Sequence, residues 1–357
     1  MKIHFLTTRV VDATGGAKYD FNFYNILKRV YDDDVVLYDD NHVKEEAKFA
    51  KGDLLSFNLM YNKLSSTIFD CDYLIMNSRL YTRFVFSNTK RLSKSHPHTK
   101  IIVIHHHNNY MSHAGMMRFI HKKFEMRLLN SATQLIIPNI YVIDLLKHEL
   151  EKPNIIHLES SFEKKHYRIS ELNNKTLLFV GNVQERKGLL YGLRAFNELH
   201  QCHPEYKFLI AGKYTDDEFY RSLDSFIMEN NLSESVRFLG RVSDEELDKA
   251  YSSSDIFLFP SLLEGYGWVM IEAMGRGVPV VAFNNSAMPY TVVDKFNGLL
   301  IENKNWKKMG EGLIELVDNP GLLKSLQEGA LETYDKVPSQ EELNKRTEEY
   351  LISLNNC

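Results

Sequence analysis

The sequence predicts an α/β protein of two domains, each built on a parallel β-sheet, and three observations carry that expectation. At 357 residues the chain exceeds what one core fills, because single hydrophobic cores rarely grow beyond ~250–300 residues. Short apolar runs at 35–38, 73–76, 101–104 and 278–283 alternate with helical patterns, the βα rhythm of a parallel sheet buried on both faces. Residues 254–277 read as strand, glycine turn and helix: an apolar run to Phe259, then Gly265, Tyr266 and Gly267, then a helix-like run ending at Gly275 and Gly277. The expected boundaries are 1–165 for the first domain, 166–338 for the second and 339–357 for a terminal helix.

Composition excludes several classes. The chain is 44% apolar and 25% charged, as in an ordinary globular protein. No run reaches the ~18–20 apolar residues of a spanning helix, and the apolar run of the first residues is too short for the signal peptide that an exported chain would be expected to show. Cys71, Cys202 and Cys357 are far apart and lack metal-type spacing, which fits a reducing cytoplasm. The net charge of −4 is unevenly shared, with 23 Lys/Arg against 18 Asp/Glu in residues 1–165 and 20 against 29 beyond. Residues 73–150 hold 11 basic side chains against 3 acidic ones, so this half expects an anionic partner. An anionic membrane surface fits better than nucleic acid, because no recognised nucleic-acid module accompanies the charge.

In chain order, residues 2–6 read as the first strand, followed by a loop with Asp12, Thr14, Gly15 and Gly16 and a helix over 18–29. The strand at 101–104 runs into His105, His106, His107, Asn108 and Asn109. Ligands of open α/β sheets bind beyond the carboxyl ends of strands, so polar chemistry belongs there. Adjacent residues on an extended chain point to opposite faces, so three consecutive histidines do not make a metal ligand set. Residues 79–100 carry six basic side chains and no acidic one, interleaved with Tyr81, Phe84, Val85, Phe86 and Leu92. Residues 116–130 predict a helix with Met116, Ile120, Phe124 and Leu128 on one apolar face and Arg118, Lys122, Lys123 and Arg127 around it. Such a helix suits an anionic lipid surface. Residues 155–158 close the first domain, and the polar stretch 159–175 reads as a linker.

The second domain opens with a strand at 176–180 and the loop Gly181, Asn182, Val183, Gln184, Glu185, Arg186, Lys187, Gly188. Strands follow at 208–211 and 236–239, a helix at 244–252, and then the strand and glycine turn of residues 254–277. Glu264 and Glu272 bracket that turn with seven residues between them. Carboxylates here can hold sugar hydroxyls, which are good donors to an acceptor-only group, and a helix N-terminus favours phosphate. After the strand at 278–283 comes the loop 284–290, with Ser286, Ala287, Met288, Pro289 and Tyr290.

This E-x7-E pattern resembles the signature of retaining glycosyltransferases of family four, over roughly residues 177–301 with a weaker echo before them. The resemblance implies the GT-B fold, two Rossmann-like domains with parallel sheets facing an interdomain cleft, and a terminal helix that crosses back to the first domain. It implies that Glu264 lies by the donor sugar, that Glu272 binds the nucleotide ribose, and that Gly265, Tyr266 and Gly267 shape the donor site. Lys187 matches the phosphate-binding lysine of the family's G-R-x4-K-G loop. Asn182 stands where the family has arginine, leaving Arg186 as the second cation. Gly16 matches the family's first glycine loop, and His106 its histidine by the transferred sugar, with His107 and His105 one register away. The 284–290 loop departs from the family's Gly-Gly and glutamate, with Ser286 in their place.

The function implied is transfer of a sugar from a nucleotide diphosphate donor, UDP-sugar foremost, to a lipid-linked or glycan acceptor, without cofactor or metal and at the inner face of the membrane. Two other readings bear on this. Asp70 and Asp72 have the D-x-D spacing of metal-dependent transferases, but they precede a strand. A non-catalytic GT-B partner of an active transferase would explain Asn182 and the altered 284–290 loop, while both glutamates, Lys187 and the histidines argue for an enzyme.

Overall fold

The computed structural model describes residues 1–8, 15–47, 54–84, 94–151, 154–160, 163–214 and 217–356. The chain divides into two compact units, Met1–Glu163 with Ser339–Cys357, and Lys164–Pro338. The first unit holds strands β1 (Ile3–Leu6), β2 (Val35–Tyr38), β3 (Tyr73–Asn77), β4 (Lys100–Ile104), β5 (Gln134–Ile136) and β6 (Ile155–Ile156), all parallel, in the order β2-β1-β3-β4-β5-β6. Alternate residues of each strand enter opposite cores. Leu74, Met76, Ile101 and Val103 face one apolar cluster, and Tyr73, Ile75, Ile102 and Ile104 face the other. With both faces covered, the strands are apolar at nearly every position, which is why they read as continuous runs.

The helix Gln340–Ser353 belongs to this unit. Ser339 and Glu342 close a capping box at its start. Leu351 and Leu354 join the apolar cluster of Ile3 and Phe5, Arg29 pairs with Glu348 at 2.6 Å, and the Tyr73 hydroxyl donates to the Leu354 carbonyl at 2.9 Å.

The second unit repeats the plan with β7 (Thr176–Val180), β8 (Lys207–Ala211), β9 (Val236–Gly240), β10 (Ile256–Phe259), β11 (Val280–Phe283) and β12 (Gly298–Ile301), in the order β12-β11-β10-β7-β8-β9. In each sheet the chain builds outward from the first strand on one side and then resumes on the other. The order therefore reverses between β1 and β3, and between β7 and β10. Loops leave these switch points in opposite directions, which opens a crevice at the carboxyl ends of the strands where ligands settle.

Several expectations change. The first helix, Gly15–Tyr31, begins at Gly15, so Gly16 stands in its first turn instead of in a loop; Asp12 and Thr14 lie outside the described residues, as do Val85, Phe86 and Leu92. From Lys164 onward the expected linker is part of the second unit. It is pinned by Asp255, whose carboxylate accepts from the backbone N–H of Asn174 at 2.9 Å and of Lys175 at 2.7 Å. The strand β10 starts at Ile256, not at Ser254. The basic helix, Gly115–Leu129, does not bury one continuous stripe: Leu128 is buried, whereas Met116 is 79% exposed and Phe119 71%.

Candidate active site

In the second unit two loops at the switch point are tied together. Residues after β7 form a tight turn, Glu185–Lys187, that ends at Gly188 with φ +65°. Past β10, the Leu262 N–H donates to the Arg186 carbonyl at 2.8 Å. The approach is so close that a Cβ on Gly188 would lie 1.9 Å from the Pro260 carbonyl oxygen. This brings two cations to one carboxylate. Lys187 Nζ donates to Glu264 Oε2 at 2.5 Å with its side chain only 10% exposed. Arg186 is half exposed, 4.0 Å from the same oxygen, and donates to the Leu263 carbonyl at 3.2 Å.

Glu264 is held from its other side as well, since its backbone N–H donates to Ser286 Oγ at 3.0 Å. Gly267 adopts φ +80°, where a Cβ would strike Met270 Cε at 2.5 Å and approach Glu264 Cγ at 3.4 Å; only glycine allows that turn. Tyr266 stacks on Trp268 with ring centroids 3.9 Å apart, and Gly265 has open space where a side chain would stand. The exposed Asn182 takes no part in these contacts.

Glu272 lies in the helix Trp268–Met274. Its Oε2 accepts from the Tyr251 hydroxyl at 3.0 Å. Tyr251 is fully buried, and burial beside Glu272 raises its pKa well above the ordinary value, so the phenol stays protonated and donates. Behind it Arg276 donates to Asp248 through Nε and Nη2 at 2.9 and 2.6 Å and to the Glu272 carbonyl at 2.8 Å. Its guanidinium lies 3.6 Å from the Tyr167 ring centroid.

In the first unit the three histidines part company, as alternation along an extended chain requires. His105 is fully buried, and burial pushes its pKa down to about 3. Its Nε2 meets Asn108 Oδ1 at 2.8 Å, while Nδ1, 3.9 Å from Glu125 Oε1, has no hydrogen-bond partner among the described residues. Glu125, also buried, accepts from the N–H groups of Asn109 and Tyr110 at 3.0 Å each and from Asn109 Nδ2 at 2.6 Å. Burial raises its pKa against those bonds. His107 is exposed. His106 packs on the first helix: a Cβ at Gly16 would meet its ring at 3.4 Å, the Tyr19 ring stands edge-on at 5.2 Å, and Asp20 Oδ1 lies 2.8 Å from Nε2.

Asp20, Tyr251 and Glu125 were not anticipated. Asp20 had one local signal, lying four residues after Gly16 and so on the same helix face. Tyr251 and Glu125 had none. Asp70 and Asp72, the D-x-D pair, are both tied to Lys2 at the amino ends of the strands, and among the described residues no group of three or more His, Cys, Asp and Glu side chains gathers into a metal-holding cluster.

The chain is similar to several known proteins. The family model of glycosyl transferases group 1 matches residues 161–333. An uncharacterized glycosyltransferase of Haemophilus influenzae is 36% identical over 156 residues, 43% of either chain. A phosphatidyl-myo-inositol mannosyltransferase of Mycobacterium leprae is 31% identical over 172 residues, 48% of this chain and 44% of the relative. The matched segment thus spans less than half the length of these curated relatives. The crystal structure of Anabaena HepE in complex with UDP and glucose superimposes with a TM-score of 0.75 at 16% identity, covering 99% of this chain and 100% of that one. Residues 161–333 thus resemble the group 1 glycosyl transferases, and the two parallel sheets carry the GT-B fold.

Proposed function

We propose that this protein is a retaining, metal-independent hexosyltransferase that moves a sugar from a nucleotide diphosphate sugar, with UDP as the nucleotide, to a lipid-linked or glycan acceptor. The observation that carries this reading is the convergence of Lys187 and Arg186 on Glu264 at the β7/β10 switch point. A cation pair resting on a carboxylate is a diphosphate site in waiting. When the diphosphate arrives, Lys187 and Arg186 turn to its oxygens, and Glu264 is released to accept hydrogen bonds from sugar hydroxyls. Glu272 holds the ribose through the oxygen that Tyr251 leaves open. In the reaction the bond from C1 to the phosphate oxygen breaks, the nucleoside diphosphate leaves with the electron pair and takes the acceptor hydroxyl's proton, and the new C1–O bond forms on the same face. The acceptor belongs to the first unit, and His106 accepts a hydrogen bond from a hydroxyl of the transferred sugar.

The relative named for phosphatidyl-myo-inositol and the solved structure with UDP and glucose support a lipid acceptor and a UDP donor. Exposed Met116, Met117 and Phe119 beside Arg118, Lys122 and Lys123 support attachment to the anionic inner face of the membrane, in the biosynthesis of a cell-surface polysaccharide or glycolipid. No helix among the described residues is long and apolar enough to cross a membrane.

The test is a panel of nucleotide sugars assayed for thermal stabilisation and for hydrolysis or transfer, with Glu264→Ala beside the wild type. One donor should stabilise and turn over, and folded Glu264→Ala should lose at least ~100-fold of the turnover, about the worth of a charge-assisted contact in the transition state. Unchanged turnover in that variant rejects the site, and binding without turnover of any donor marks a non-catalytic partner instead.

A further inference from the structure

We infer that Asp20 is a positioning residue that sets the tautomer of His106, so that the ring offers the Nδ1 lone pair to a substrate hydroxyl; the catalytic meaning of this rests on the glycosyltransferase reading above. Asp20 joins three elements. It stands on the first helix, only 6% exposed, where Oδ1 lies 2.8 Å from His106 Nε2 just past β4. Its other oxygen, Oδ2, accepts from Asn77 Nδ2 at the end of β3 at 2.5 Å. Asn77 cannot turn its amide round, because its own Oδ1 already accepts from the Arg79 N–H at 2.8 Å.

The protons are therefore assigned in sequence. Arg79 N–H makes Asn77 Oδ1 an acceptor, so Asn77 Nδ2 is the donor that faces Asp20. A carboxylate only accepts, so Oδ1 draws the hydrogen of His106 onto Nε2. In the neutral ring that leaves Nδ1 as the acceptor, and among the described residues Nδ1 has no hydrogen-bond partner. Gly16 lies against the ring and Tyr19 stands at its edge. A group whose second nitrogen is fixed by a carboxylate presents a defined lone pair, as in other sites where a carboxylate orients a histidine.

The isosteric variant Asp20→Asn makes this testable. Asn77 still donates, so the new amide must turn its oxygen toward Asn77 and its NH2 toward His106, which drives the hydrogen from Nε2 to Nδ1 with no change of shape. The experiment records ¹⁵N histidine spectra of wild type and Asp20→Asn at a pH where the ring is neutral, together with kcat and the affinity for UDP. The wild type should show the Nε2–H tautomer and Asp20→Asn the Nδ1–H tautomer. With the donor that the panel identifies, kcat should fall ~10- to 100-fold, the worth of one misplaced hydrogen bond. UDP affinity should stay within about twofold, because its proposed contacts are Lys187 and Glu272.

An Nδ1–H or doubly protonated ring in the wild type overturns the assignment even if the variant does not fold. So does an unflipped ring in folded Asp20→Asn, or a flipped ring with unchanged kcat. If no nucleotide sugar is bound or turned over by the wild type, the glycosyltransferase reading falls while the spectra still decide the Asp20–His106 link.

Discussion

In the proposed ribose site, Tyr251 occupies one oxygen of Glu272 and leaves the other open. The Tyr251 hydroxyl also lies 3.2 Å from the Val269 carbonyl, and its ring is packed under Arg276 at 4.6 Å, so the phenol has no freedom to leave. Tyr251→Phe keeps this packing and removes one hydrogen bond to the carboxylate. The loss is about 1.5–3 kcal/mol for a bond to a charged group, so UDP affinity measured by calorimetry should fall ~10- to 100-fold while kcat at saturation stays nearly unchanged. Equal affinity would show that the carboxylate needs no such anchor. The same scale separates the histidines: one residue of register decides whether an imidazole is buried beside Glu125, held by Asp20, or exposed.

Among the elements, the loop pair at the β7/β10 switch point is tightly determined. Gly188 meets two demands together, a left-handed φ and a contact that leaves no room for a methyl group. Gly188→Ala has to push Pro260 and the strand end away, which separates Lys187 from Glu264. Backbone strain and overpacking together should cost at least ~2–3 kcal/mol, read as a lower urea midpoint, along with weaker UDP binding. Unaltered stability would mean the loops are looser than their contacts imply. The Gly267 turn obeys the same logic on the other side of Glu264, and the Asp255 clamp shows why the polar run before β7 is not a free linker.

On the scale of the whole molecule, charge and apolar exposure coincide in the first unit. The helix Gly115–Leu129 buries its second half, where Glu125 and Leu128 face inward, and leaves Met116, Met117, Phe119 and Ile120 exposed around Arg118. Anionic liposomes should therefore retain the protein at low salt and release it as the Debye length shrinks toward ~8 Å, and Met116→Ser with Phe119→Ser should weaken retention at every salt concentration. No co-sedimentation at low salt would remove the membrane from the proposed function.

What the sequence determined by itself is whatever depends on neighbours along the chain. Strands buried on both faces are apolar throughout, so β2, β3, β4, β7 and β10 were legible. Short β5, only Gln134–Ile136, was not, having too few residues to show a pattern. The Glu264–Glu272 spacing, the glycines around it and the Lys187 loop were legible for the same local reason. What only the tertiary structure decided is which distant side chains meet. Asp20 and His106 are 86 residues apart and Tyr251 and Glu272 are 21 apart, and no periodicity records such pairings, because they are set by the switch-point order of the strands and by the packing of helices on them. The motif names its carboxylates and cations; the fold supplies the partners that give each one a direction.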